Sequence, residues 1–223
     1  MRLWLGLALL TGPLAAQSVR VRLEGRVPAA AMATVDSLVQ QARQEDLPTE
    51  PLVQKALEGG AKHVSAERIV AAIQLRLVQM RDARTLLVGA GHGPFTAAEV
   101  MAVSGTLKRG VPGPVVERLV VALPNESRGS ALHAEADLVA HGFDPDSSAG
   151  PLVEATRRSL RGGRLLDVSA AVLHELQRGH TRPEALALVR LELPNVPPAP
   201  KPPKASVAGA RRPGASSGAT PQP

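Results

Sequence analysis

Between Leu47 and Leu87 the apolar residues fall into two stripes of helical period. Ile69, Val70, Ile73, Leu77 and Met80 recur at spacings of three and four and share one face of a long helix. Leu52, Val53, Ala56 and Leu57 make a shorter stripe that starts beside Pro48 and Pro51 and runs to Gly59-Gly60, where glycine is expected to close the helix. The two faces predict an αα-hairpin, with Ser65 as N-cap of the second helix and Val64 and Ile69 as a hydrophobic staple.

The same period continues on both sides. Met32, Val35, Leu38, Val39 and Ala42 predict a helix over 29–44, and the chain then reads as helices over 49–58, 66–87, 97–108, 113–123, 130–141, 145–161, 165–178 and 182–192. Gly150-Pro151 is expected to kink or split the seventh of these. The junctions at Arg109-Gly110-Val111-Pro112, His141-Gly142-Phe143-Asp144 and Arg178-Gly179-His180-Thr181 share one plan. A cation faces the negative end of the finished helix, glycine closes it, and the last residue opens the next. Thr96 with Glu99, and Thr181 with Glu184, have capping-box spacing. The junctions are separated by the length of a two-helix unit, so the fold class expected is all-α, with short hairpins stacked as a degenerate α-solenoid or an irregular helical domain over 29–193.

The two ends differ from this pattern. Arg2 precedes the apolar run Leu3–Leu10, which Thr11-Gly12-Pro13 ends before Ala15 and Ala16, the layout of a signal peptide over 1–16 and of an exported protein, periplasmic or secreted. A run this short falls well below the roughly 20 apolar residues that span a bilayer, so no transmembrane anchor is expected after processing. Val19, Val21 and Leu23 alternate with Arg20, Arg22 and Glu24, which predicts an extended arm over 17–28. Residues 194–223, rich in Pro, Ala and Gly, hold too little apolar area to order themselves and are expected to be a disordered tail.

Charge changes the picture once it is divided. The chain carries a formal +6, but all 20 acidic residues lie within 17–194 together with 21 of the 26 basic ones. The helical part is therefore close to neutral, and Lys201, Lys204, Arg211 and Arg212 put four cations and no acid in the tail. Contact of those four with acidic envelope polymers or an anionic membrane surface is one functional expectation. Specific nucleic-acid binding is not expected: beyond Trp4 the only aromatics are Phe95 and Phe143, which leaves no stacking platform for bases. There is no cysteine, hence no disulfide even in a compartment that permits one.

Candidate chemistry is sparse. Leu86-Leu87-Val88 before Gly89-Ala90-Gly91-His92-Gly93 resembles the strand and glycine turn of a dinucleotide site, but Pro94 stands where the third glycine belongs and Arg109 near the expected acid. A helix-to-helix loop is the better reading, and no cofactor is expected. His133 and Asp137, four residues apart on one helix, are the candidate metal ligands; His141 lies about 12 Å from His133 along the axis and cannot join it on one ion. Ser104 lacks the first glycine of a nucleophile elbow. Asn125-Glu126-Ser127 is a glycosylation sequon. The function expected is an exported helical scaffold or protein-interaction module without catalysis. The alternatives are an envelope enzyme with a metal site near His133/Asp137 and His92, and tail-mediated polyanion binding.

Overall fold

The computed structural model describes residues 14–91 and 93–193, with side chains from residue 19 onward. The apolar run Leu3–Leu10, His92 and the whole segment 194–223 lie outside the described residues. The described chain is all-helical, with no strand. Its elements are α1 (Leu14–Leu23), α2 (Ala29–Gln44), α3 (Glu50–Ala61), α4 (Ala66–Gly89), α5 (Ala97–Lys108), α6 (Gly113–Ala122), α7 (Asn125–Ala140), α8 (Pro145–Arg157), α9 (Arg164–Gln177) and α10 (Arg182–Glu192).

The helices stand in two rows. Successive contacts α2–α4, α4–α5, α5–α7 and α7–α9 make one row; α1–α3 and α6–α8–α10 make the other, with α4 touching both α3 and α6. In the first part of the chain each hairpin enters through the second row (α1 then α2, α3 then α4), and from α5 onward it enters through the first (α5 then α6, α7 then α8, α9 then α10). The order therefore reverses at the α4–α5 connection. Ile69, Ile73, Leu77, Met80, Ala83 and Leu87 carry the buried stripe of α4 into one continuous core.

The helix endings follow backbone chemistry more than composition. At Gly110, Gly142 and Gly179 φ is +90°, +81° and +96°, and the N–H of the next residue returns to a carbonyl five positions back: Val111 to Thr106 (3.4 Å), Phe143 to Leu138 (3.1 Å) and His180 to Glu175 (3.3 Å). Val111 and Phe143 are buried as the hydrophobic partners of this ending. The cations are used unequally: His141 Nδ1 lies 2.8 Å from the Asp137 carbonyl, whereas Arg178 turns to the Glu175 carboxylate at 3.1 Å. Both capping boxes form, at Thr96/Glu99 and Thr181/Glu184.

Several expectations are corrected. The segment 17–28 is not an extended arm: α1 covers its first part, because Val19 and Leu23 bury against α2 and α3 while the Arg22 guanidinium grips Glu50 through two bonds of 2.8 and 2.7 Å. Gly59-Gly60 does not end α3. The helix runs on to Ala61, and His63, at φ +52°, takes the left-handed position instead. The glycines are needed for space, since a Cβ on Gly60 would overlap the Arg26 carbonyl and one on Gly59 would sit 2.6 Å from Ile69 Cγ1. Ser65 occupies the N-cap position of α4 but its hydroxyl makes no capping bond. α7 begins at Asn125, five residues before the sequence-based start at 130. α8 runs through Gly150-Pro151 as one element but stops at Arg157, where Ser159 at φ +69° and the Leu160 N–H to Ala155 carbonyl bond (3.0 Å) close it without glycine.

Candidate functional site

Two cavities adjoin on the second row. One, of about 1100 Å³, lies between α6 and α8; the other, of about 690 Å³, lies between α8 and α10; Glu154, Arg158 and Arg190 line both. They form an open groove across three consecutive helices. Its apolar surface is supplied by Val121, exposed at 58%, by the half-buried Val153 and by Leu191, exposed at 74% in the last turn of α10. Val121 and Leu191 face outward because their helices are apolar beyond the stripe that the core needs.

Ion pairs brace the rim. Arg118 of α6 reaches Asp146 of α8 at 2.6 Å, and the Glu154 carboxylate is shared by Arg158 at 3.0 Å and Arg190 of α10 at 3.1 Å. The Arg158 hydrogen bond, followed by that of Arg190, holds the Glu154 carboxyl below the usual glutamate range. Among the described residues Arg157 and Glu117, also on this face, make no ion pair. Under the groove wall sits Glu135 of α7, fully buried at 0% exposure. One of its oxygens is 2.7 Å from the Ser148 hydroxyl and the other has no partner. Burial pushes this carboxyl up to about 7; the Ser148 bond and the Arg118 charge oppose the rise and Asp144 and Asp146 add to it. The Ser148 hydroxyl donates to Glu135 Oε1, and its Oγ also lies 2.9 Å from the Asp144 carbonyl.

No family model, no curated protein and no solved structure matches this chain.

The residues singled out from sequence are dispersed. His133 is exposed beside a small cleft of about 120 Å³ between α5 and α7, while Asp137 faces His141, 3.9 Å from its Nδ1. Among the described residues no group of three His, Cys, Asp or Glu side chains is placed to share a metal ion. Leu86, Leu87 and Val88 belong to α4 rather than to a strand, and Gly91, at φ +72°, turns the chain toward α5. Ser104 lies buried within α5 with its hydroxyl unpartnered. In the sequon, Asn125 starts α7 exposed, and the buried Ser127 hydroxyl accepts the Gly162 N–H at 3.3 Å. The tail cations Lys201, Lys204, Arg211 and Arg212 are outside the described residues. No described helix is long and apolar enough to cross a membrane.

Sequence reasoning missed the groove and two buried charges. The signal for the groove was a residue off the stripe: Val121 follows Val120 and Leu191 follows Arg190, neither in phase with the core face. The Glu99–Arg128 pair, both nearly buried at 3.0 Å, had no local signal because its members are 29 residues apart. Burial works against the charged form of Glu99, but the Thr96 backbone N–H, the Arg128 guanidinium and the Thr96 hydroxyl together hold its carboxyl below the ordinary value. Arg128 also donates to the Val120 and Leu123 carbonyls at 2.9 and 3.0 Å, closing the end of α6.

Proposed function

We propose that this protein is an exported, non-catalytic scaffold that holds a segment of another protein along the α6–α8–α10 groove. The observation that supports this reading is the groove itself: two adjoining open cavities, lined by aliphatic side chains and edged by arginine–carboxylate pairs. At about 1100 Å³ the larger cavity alone exceeds the roughly 300–1,000 Å³ typical of small-molecule sites, and its continuation to α10 suits a polymer segment better than a compact ligand. The export part of the reading rests on the N-terminal sequence. Removal of 1–16 would leave Val19, Leu23 and the Arg22–Glu50 pair, the contacts that seat α1, in the mature chain.

Photo-crosslinking amino acids placed at Val121 and Leu191, with Arg68 as an exposed control distant from the groove, test the binding face. The expected outcome is one discrete crosslinked species shared by positions 121 and 191, absent at 68 and lost in Val121→Asp at unchanged thermal stability. Equal labelling at all three positions would overturn the reading. N-terminal sequencing of the cell-envelope fraction tests export, with a mature start at residue 17 expected.

A further inference from the structure

We infer that the cleft between α3 and α4 is a second docking face, one that takes an acidic, leucine-bearing helix of a partner protein. Two adjoining cavities make the cleft, of about 670 and 200 Å³, and Lys55, Glu58 and Ala72 line both. The charge on its walls is one-sided. Lys55 and Lys62 of α3, Arg68 and Arg76 of α4 and Lys108 at the end of α5 stand against a single carboxylate, Glu58. That carboxylate is already held by Lys62 at 2.6 Å and Lys55 at 2.9 Å. Arg68, Arg76 and Lys108 make no ion pair among the described residues. Glu67 and Asp82 are exposed on α4 and line neither cavity; counting them as well leaves five cations against three acids. Arg68 and Arg76 lie about 12 Å apart along α4, so a row of carboxylates meets cations that one small anion could not reach together. Leu75, exposed at 60%, lines the larger cavity beside Arg76, and Val78, exposed at 47%, continues its face one turn on. Aliphatic side chains gain only from apolar partner surface, which an acidic polysaccharide or a nucleic-acid backbone lacks, and no aromatic lines the cleft to stack on sugars or bases. The described residues hold no strand for a partner strand to extend, which leaves a helix laid in the cleft as the mode of docking. This face is separate from the α6–α8–α10 groove, and its partner is a different species from the one sought at Val121 and Leu191.

Full-length protein titrated into labelled helical peptides about 18 residues long, spanning roughly 27 Å, tests this by fluorescence anisotropy. Two peptides keep leucines at three- and four-residue spacing and carry glutamate or glutamine elsewhere; a third is polyglutamate without leucine. The leucine–glutamate peptide is expected to bind about tenfold tighter than either of the others, with its advantage over the glutamine peptide shrinking as salt rises. Arg76→Glu combined with Lys108→Glu should remove most of that advantage. Leu75→Ser should weaken the leucine–glutamate peptide several-fold and leave polyglutamate unchanged, at an unaltered melting temperature. Should the double variant melt early, Lys108→Gln alone, at an exposed helix end, carries the test, with a loss of roughly threefold expected. Arg157→Glu, on the α6–α8–α10 groove, is the control and should leave binding unchanged. Equal binding of the glutamate and glutamine peptides would overturn the inference. Polyglutamate binding as tightly as the leucine–glutamate peptide would reduce the effect to general polyanion attraction and overturn it as well. No loss in the Arg76/Lys108 variants, or an equal loss in Arg157→Glu, would put the binding elsewhere with the same result. The crosslinks at Val121 and Leu191 are decided separately, so either face can fail without the other.

Discussion

A carboxyl buried as completely as Glu135 makes folding respond to pH in a direction that can be worked out. Its pKa is raised on folding, so the folded chain holds the proton where the unfolded chain has released it. The stability tied to that proton is complete below the ordinary glutamate value of 4.5 and is lost as pH rises through about 7, an effect on the order of 3 kcal/mol. Glu135→Gln keeps the hydrogen bond to Ser148 and removes the titration. Urea unfolding at pH 5 and pH 8 should therefore show the variant gaining on the parent at the higher pH, and parallel profiles would refute this account. Backbone geometry gives a second prediction. Ser159 and Asp46 hold left-handed conformations, at φ +69° and +53°, where a Cβ is unwelcome and aspartate is better tolerated than serine. Ser159→Gly should raise stability by about 0.5–1 kcal/mol, more than Asp46→Gly, as read from chemical denaturation. Gly60→Ala should do the opposite, costing about 2–3 kcal/mol because it meets backbone at Arg26, whereas Gly129→Ala, with open space around it, should be neutral or mildly stabilising.

For a helix the decisive question is what holds its ends, and α7 shows how far that lies from local composition. Asn125-Glu126-Ser127-Arg128-Gly129 reads as a loop, yet it forms the first turn and more of α7 because Arg128 is locked to Glu99 of α5 and to two carbonyls at the end of α6. Arg128→Met leaves a buried carboxylate and those carbonyls short of a donor, so it should cost about 3–5 kcal/mol. Hydrogen exchange should speed up first over 125–130; an unchanged rate there would show that this turn needs no such support. The rest of the helix set was legible because its signals are periodic and nearby: the stripe of α4, the junction glycines at 110, 142 and 179, and the two capping boxes are all found where the spacing puts them. What escaped the sequence depends on distant partners. α1 alternates like a strand, but α2 and α3 give Val19 and Leu23 a place to bury that two-residue periodicity cannot express. The endings at His63 and Ser159 use residues that carry no turn signature, and a groove is a property of three helices side by side, invisible in any one of them.

Among the described residues, contacts run between neighbouring helices of a row or between adjacent helices of the two rows, so stability should be graded along the stack. Amide exchange is expected to be slowest in α4, α5 and α7, and fastest in α1 and α10; uniform protection throughout would indicate a single cooperative block instead. The reversal of hairpin order at the α4–α5 connection bears on how such a stack assembles. In an array of look-alike pairs, any pair could dock one place too early and still cover its greasy side. Here such a slip would bring a helix from the wrong row against α4, whose 24 residues must meet α3 on one flank and α5 and α6 on the other. The mirror-like change of direction thus gives the nascent chain a single origin from which both arms count outward, and a mis-set arm cannot close against it.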